Sequence, residues 1–120
     1  MKGTLIVESL KVGSTLRALD LVVHEIRRFA TSGVPEYQPS VWTVLEFEAS
    51  DQLADSLAST LADWLDEPGW YANFSTLTET FVIYPSRIFH YERQDERGRA
   101  EAQAYGRLLG VPEPQLDWNE

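Results

Sequence analysis

Between Val41 and Glu48 the side chains alternate. Val41, Thr43, Leu45 and Phe47 fall on one side, and Trp42, Val44, Glu46 and Glu48 on the other. A period of two predicts a strand with one apolar face and one that turns acidic toward its end. The period changes after Ser50. Leu53, Leu57, Leu61, Trp64 and Leu65 recur at spacings of three and four, which predicts a helix over about 51–66. Ser50 suits the N-cap, and Asp51 suits the first turn, where the helix dipole favours an acid. Ala54, Ala58 and Ala62 flank the stripe and permit close approach to a sheet. Pro68 and Gly69 end the element.

The remaining elements follow from shorter signals. Thr4 to Leu10 is partly β-branched, precedes Gly13-Ser14, and reads as a first strand. Residues 70–74 and 80–84 read as two strands around a turn at 75–79. Arg87 to Glu92 resumes extended structure after Pro85-Ser86. A second helix is expected over 99–109, with Ala100, Ala104, Tyr105, Leu108 and Leu109 as its inner face. Gly110 suits the left-handed position after it, and Pro112 blocks continuation.

Residues 15–30 support two readings. Leu16, Leu19, Val22, Val23, Ile26, Phe29 and Ala30 fit one helical face, with Ser14 as cap and Gly33 as stop. Leu21-Val22-Val23 favours a strand, and Leu19, Leu21 and Val23 alternate. The expected fold class is therefore α+β, a two-layer sandwich in one domain of residues 1–120. A mainly antiparallel sheet would be covered on one face by two helices, or three if 15–30 is helical. The specific expectation is a ferredoxin-like variant. The segment 111–120 is expected to be an ordered tail, with Leu116 and Trp118 docked on the hairpin at 70–91.

Charge and composition narrow the function classes. There are 19 acids against 10 bases, a net charge of −9. Arg27-Arg28, Arg87, Arg93, Arg97, Arg99 and Arg107 are interleaved with acids, so no nucleic-acid partner is expected. A basic protein partner fits the field better. The absence of cysteine excludes disulfides, thiolate nucleophiles and cysteine-based metal sites. No apolar run approaches a membrane span or a signal-peptide core, so the expected location is cytoplasmic, with no membrane partner.

Candidate chemistry is sparse, and no cofactor is expected. His24 and His90 are the only histidines, and alternation puts His90 opposite Phe89 and Tyr91, on an exposed face. Glu46 and Glu48 share a strand face, as a hard-cation site requires. No calcium loop or helical His-Glu-x-x-His pattern accompanies them, which favours a solvated face. The glycines form no phosphate-binding spacing, and no nucleophile elbow is present.

The unusual feature is aromatic. Trp70, Tyr71, Phe74, Phe81, Tyr84, Phe89 and Tyr91 place rings on both faces of one hairpin. One face can lie under helices, and the other needs a cover or a partner. The candidate interface or pocket residues are Trp42, Trp70, Tyr71, Tyr84, His90, Tyr91, Leu116 and Trp118. Pro-Gly-Trp-Tyr at 68–71, Glu-Thr-Phe-Val-Ile-Tyr at 79–84 and Gly-Val-Pro-Glu-Pro-Gln-Leu-Asp-Trp at 110–118 resemble small bacterial proteins of unknown function. That resemblance covers roughly the C-terminal half and implies no activity and no site. The leading expectation is a non-catalytic, acidic interaction module that binds protein or itself, with immunity-type or antitoxin-like proteins as one subtype by analogy. The rival is a small-molecule-binding or enzymatic domain whose pocket is lined by Trp42, Trp70, Tyr84 and His90.

Overall fold

The computed structural model describes residues 1–17 and 19–120. Six strands form one sheet: β1 (Lys2–Ile6), β2 (Val22–Ala30), β3 (Val41–Glu48), β4 (Ala72–Ser75), β5 (Glu79–Tyr84) and β6 (Arg87–Glu92). Their spatial order is β2-β3-β1-β4-β5-β6, and every pairing is antiparallel. Two helices complete the α+β fold, α1 (Ala54–Trp64) and α2 (Glu96–Leu108).

Among the described residues of 15–30 the ambiguity resolves to a strand, Val22–Ala30, preceded by a loop; residue 18 lies outside the described residues. Leu16, Leu19 and Leu21 pack against the first core from that loop, while β2 runs along the edge of the sheet. With a strand there, three strands precede α1 and three precede α2. This order differs from the β-α-β-β-α-β order of a ferredoxin-like fold.

The two helices divide between the faces of the sheet rather than sharing one. The reason lies in β5, where both faces are apolar. Phe81 and Ile83 join a core with Leu5, Phe47, Phe74 and the α1 residues Leu57, Ala58, Leu61 and Ala62. Val82 and Tyr84 point the other way, into a second core with Tyr91, Ala102, Val111, Leu116 and Trp118. Each face of β5 therefore needs its own cover.

Helix α1 begins after a 3-10 turn, Asp51–Leu53, with the Ser50 hydroxyl accepting from the Gln52 N–H at 3.3 Å. Asp95 caps α2 by accepting from Arg97 and Gly98 N–H groups at 3.0 and 3.3 Å. Gly110 follows α2 at φ +84°, and the Val111 N–H returns to the Gly106 carbonyl at 3.0 Å.

The inner face of α2 is only in part the expected one: Tyr105 and Leu109 pack against the second core, Tyr105 with its ring 5.2 Å from Tyr84. Leu108 is 83% exposed, and Ala100 and Ala104 also face solvent. Gly98, Ala102 and Gly106, one turn apart, face the sheet. A Cβ at Gly106 would lie 2.6 Å from the Tyr84 hydroxyl, and one at Gly98 2.5 Å from Tyr91 Cβ. Small residues are what let α2 lie directly on two tyrosines.

Residues 111–120 close the second core. The Trp118 indole N–H donates to the Tyr91 hydroxyl at 2.8 Å, and the Arg99 guanidinium lies 4.9 Å from the Trp118 ring. The Tyr91 hydroxyl donates to Glu120 at 2.7 Å, and the Tyr84 hydroxyl to the Ala102 carbonyl at 2.7 Å. Burial is the first cause that raises the phenols of Tyr71, Tyr84 and Tyr91 well above the ordinary tyrosine value. Nearby Asp117, Tyr71 and Glu120, respectively, add to it.

The sign of the pH dependence follows. Above pH about 10 the unfolded chain loses these protons and the folded chain keeps them, so stability falls as the pH rises further. In an alkaline titration, the phenolate absorbance of these three tyrosines should rise together with the loss of circular dichroism. Complete ionisation with the circular dichroism intact would contradict the burial described here.

Candidate functional site

The face of the sheet that carries Tyr84 is covered at one end only. Register places Thr4, Ile6, Trp42, Val44, Glu46 and Glu48 on that face of β1 and β3, together with Asn73 of β4. Beside residues 114–119 lies a cleft of about 410 Å³, lined by Trp42, Trp70, Tyr71, Asn73, Asp117 and Trp118 among others. A shallower depression of about 550 Å³ shares Thr4, Asn73 and Asn119 with it and runs on to Glu46, Glu48 and Arg93.

Most polar groups of the cleft are already occupied. The Tyr71 hydroxyl donates to the Gln115 carbonyl. The side-chain amides of Gln115 and Gln38 bond each other at 2.8 and 3.0 Å. Thr4 donates to Glu46 at 2.8 Å. The Trp42 indole N–H is the exception: it is buried and has no partner among the described residues. Its ring continues an aromatic row from Phe29, at 6.3 Å, to Trp70, at 5.6 Å.

Of the residues singled out from sequence, Trp42, Trp70, Tyr71 and Trp118 line this cleft. Tyr84, Tyr91 and Leu116 do not; they are buried in the second core. His90 lies on the opposite face, stacked on Phe81 at 5.4 Å and 3.4 Å from Glu79. The expected pocket of Trp42, Trp70, Tyr84 and His90 therefore does not form. Alternation along β5 and β6 sends Tyr84 inward and His90 to the α1 side.

The acids of the open face are engaged by basic side chains. Glu48 lies 3.1 Å from His24 and 3.4 Å from Lys2, and these bonds, His24 first, hold its carboxyl below the ordinary glutamate value. Glu46 binds the Arg27 guanidinium at 3.1 Å, and Glu25 binds it on the other side. Glu46 first and then Glu25 raise the Arg27 pKa further, so its charge is permanent. Among the described residues no group of three or more His, Asp or Glu side chains could hold a metal ion.

A further unpartnered surface is the edge strand β2. All nine residues of β2 are exposed, and among the described residues β2 pairs only with β3. Val22, Val23, Ile26 and Phe29 are 58%, 43%, 63% and 42% exposed. Natural edge strands are usually short, covered, bulged or charged; β2 has a bulge and the charges of Glu25, Arg27 and Arg28, but it is long and uncovered. The sequence carried a signal for this, the β-favouring run at 21–23, but a period alone does not say whether a strand is central or marginal. Comparison with protein-family models, curated proteins and solved structures found no match.

Proposed function

We propose that this chain is a non-catalytic interaction module that docks protein along the outer edge of β2. One observation carries the reading: a nine-residue edge strand exposed at every position, with four large apolar side chains on it. An unpaired edge offers a row of backbone donors and acceptors, and an added strand satisfies them while alternate side chains set specificity. The net charge of −9 favours a protein partner over a phosphate backbone. Among the described residues no helix is long and apolar enough to cross a membrane.

The test is a pull-down from an extract of the producing cell, with wild-type and Ile26→Lys protein as baits. Ile26 is 63% exposed, so the variant should fold as the wild type does. A partner retained by wild type and lost by the variant is the expected result. An identical set of proteins on both baits would remove β2 from the reading.

A second reading is a small-molecule-binding domain, and the unpartnered Trp42 indole N–H beside the cleft favours it. A buried donor without an acceptor is a place where a ligand oxygen gains a bond. A ligand seated there would change tryptophan fluorescence in wild type and bind more weakly to Trp42→Phe.

A further inference from the structure

We propose that the strand which docks on β2 is β2 of a second copy, antiparallel and centred on Ile26, so that two six-stranded sheets join into one. The proposal rests on the reading of β2 as a docking edge and adds the identity of the partner and the register.

Symmetry restricts the choice. A two-fold axis perpendicular to a continuous sheet places equivalent residues of both copies on the same face, so the axis must pass through a residue position. Ile26 is the midpoint of Val22–Ala30, and the register centred on it pairs residues 25–27 in step, while the bulge at His24 turns Val22 and Val23 to the faces opposite those of Ala30 and Phe29. Its neighbours then face each other as Glu25 against the partner's Arg27, and Arg27 against the partner's Glu25. Opposite charges directly across a ladder stabilise the pair, and like charges oppose it.

The adjacent registers fail on charge. Centring on Glu25 sets carboxylate against carboxylate, and centring on Arg27 or Arg28 sets guanidinium against guanidinium. In the Ile26 register the central contact is apolar, isoleucine on isoleucine, between side chains that are 63% exposed in the single copy.

The side chains are already disposed for this pairing. Glu25 and Arg27 bond each other and share the face that carries Glu46. A guanidinium has five donors, and Arg27 uses two of its nitrogens on Glu25 and Glu46. It can therefore reach a further carboxylate. The ladder to β3 breaks step between Val23 and Glu25, which makes His24 the bulged residue. His24 is turned to Glu48, away from the face of Arg28, so the imidazole does not crowd the partner's Arg28.

Disulfide trapping tests the register directly, because the chain has no cysteine of its own. Residues facing across an antiparallel ladder have Cα atoms roughly 4.5–5.5 Å apart, inside the disulfide range. Ile26→Cys should give a covalently linked dimer under mild oxidation. Ala30→Cys should not, because its two thiols lie about 27 Å apart along the ladder at 3.4 Å per residue. Light scattering on the wild type should rise with concentration toward twice 13.7 kDa. Glu25→Arg and Arg27→Glu should each be monomeric alone and dimeric when mixed, since the mixture restores both charge pairs.

A wild type that stays monomeric at every concentration overturns the self-pairing, as do equal rates of crosslinking from positions 26 and 30. The docking reading fails separately, only when the extract pull-down also loses nothing on Ile26→Lys.

Discussion

Trp118→Ala should lower the stability of the fold by about 3–5 kcal/mol, the usual loss for a buried tryptophan truncated to alanine. Trp118 is 5% exposed and packs between Tyr71, Tyr91 of β6 and Arg99 of α2. Its ring stands edge-on to Tyr71 at 5.4 Å and under Arg99 at 4.9 Å. Removing it leaves a void that these side chains cannot close without leaving their own partners. Trp118→Phe keeps most of the bulk and loses the indole donor to Tyr91, so about 1 kcal/mol is expected from that bond alone. Urea denaturation measures both, since a shift in midpoint at constant slope reports stability. An unchanged midpoint for Trp118→Ala would mean that residues 111–120 do not hold the second core together.

The second large effect is on the other face. Leu61→Ala should destabilise by about 2–5 kcal/mol, and Leu57→Ala by a similar amount. Leu61 is 1% exposed and Leu57 4%, both in the core between α1 and the sheet. The informative control is Leu108→Ala on α2. Leu108 is 83% exposed, and a surface substitution of that kind shifts stability by less than about 0.5 kcal/mol. Equal midpoint shifts for Leu61→Ala and Leu108→Ala would overturn the assignment of α2's faces.

That pair of leucines marks where the sequence could be read and where it could not. The α1 stripe was legible because one run of leucines at helical spacing had a single apolar direction to point. On α2 Tyr105 and Leu109 pack as their size suggests, but Leu108 misleads. The close contact of the helix is made by Gly98, Ala102 and Gly106, and small residues give no hydropathic signal. They are informative only once Tyr84 and Tyr91 are known to lie opposite. The hairpin over 70–84 was legible from two aromatic runs around a polar turn, and the extended segment 87–92 from the break at Pro85-Ser86. The division of helices between faces was not, although β5 already carried apolar residues at both parities. For the candidate site, Trp42, Trp70, Tyr71 and Trp118 stood out by residue type. Glu25, Ile26 and Arg27 did not, because their importance depends on β2 being an edge, a property of strand order and not of local pattern.

The uneven cover of the sheet also sets how readily each strand opens. In β5, Thr80, Val82, Ile83 and Tyr84 are fully buried, with α1 on one face and α2 with residues 111–120 on the other. Releasing its amides requires both cores to separate, so their exchange with solvent deuterium approaches the rate of global unfolding. At the far end β2 has one neighbouring strand and no buried side chain, and its amides can exchange through fraying that leaves the rest intact. Protection thus grades across the sheet from β5 down to β2. The strand that offers its edge is the one whose adjustment disturbs the others least, so docking there draws little on the free energy that keeps the cores closed.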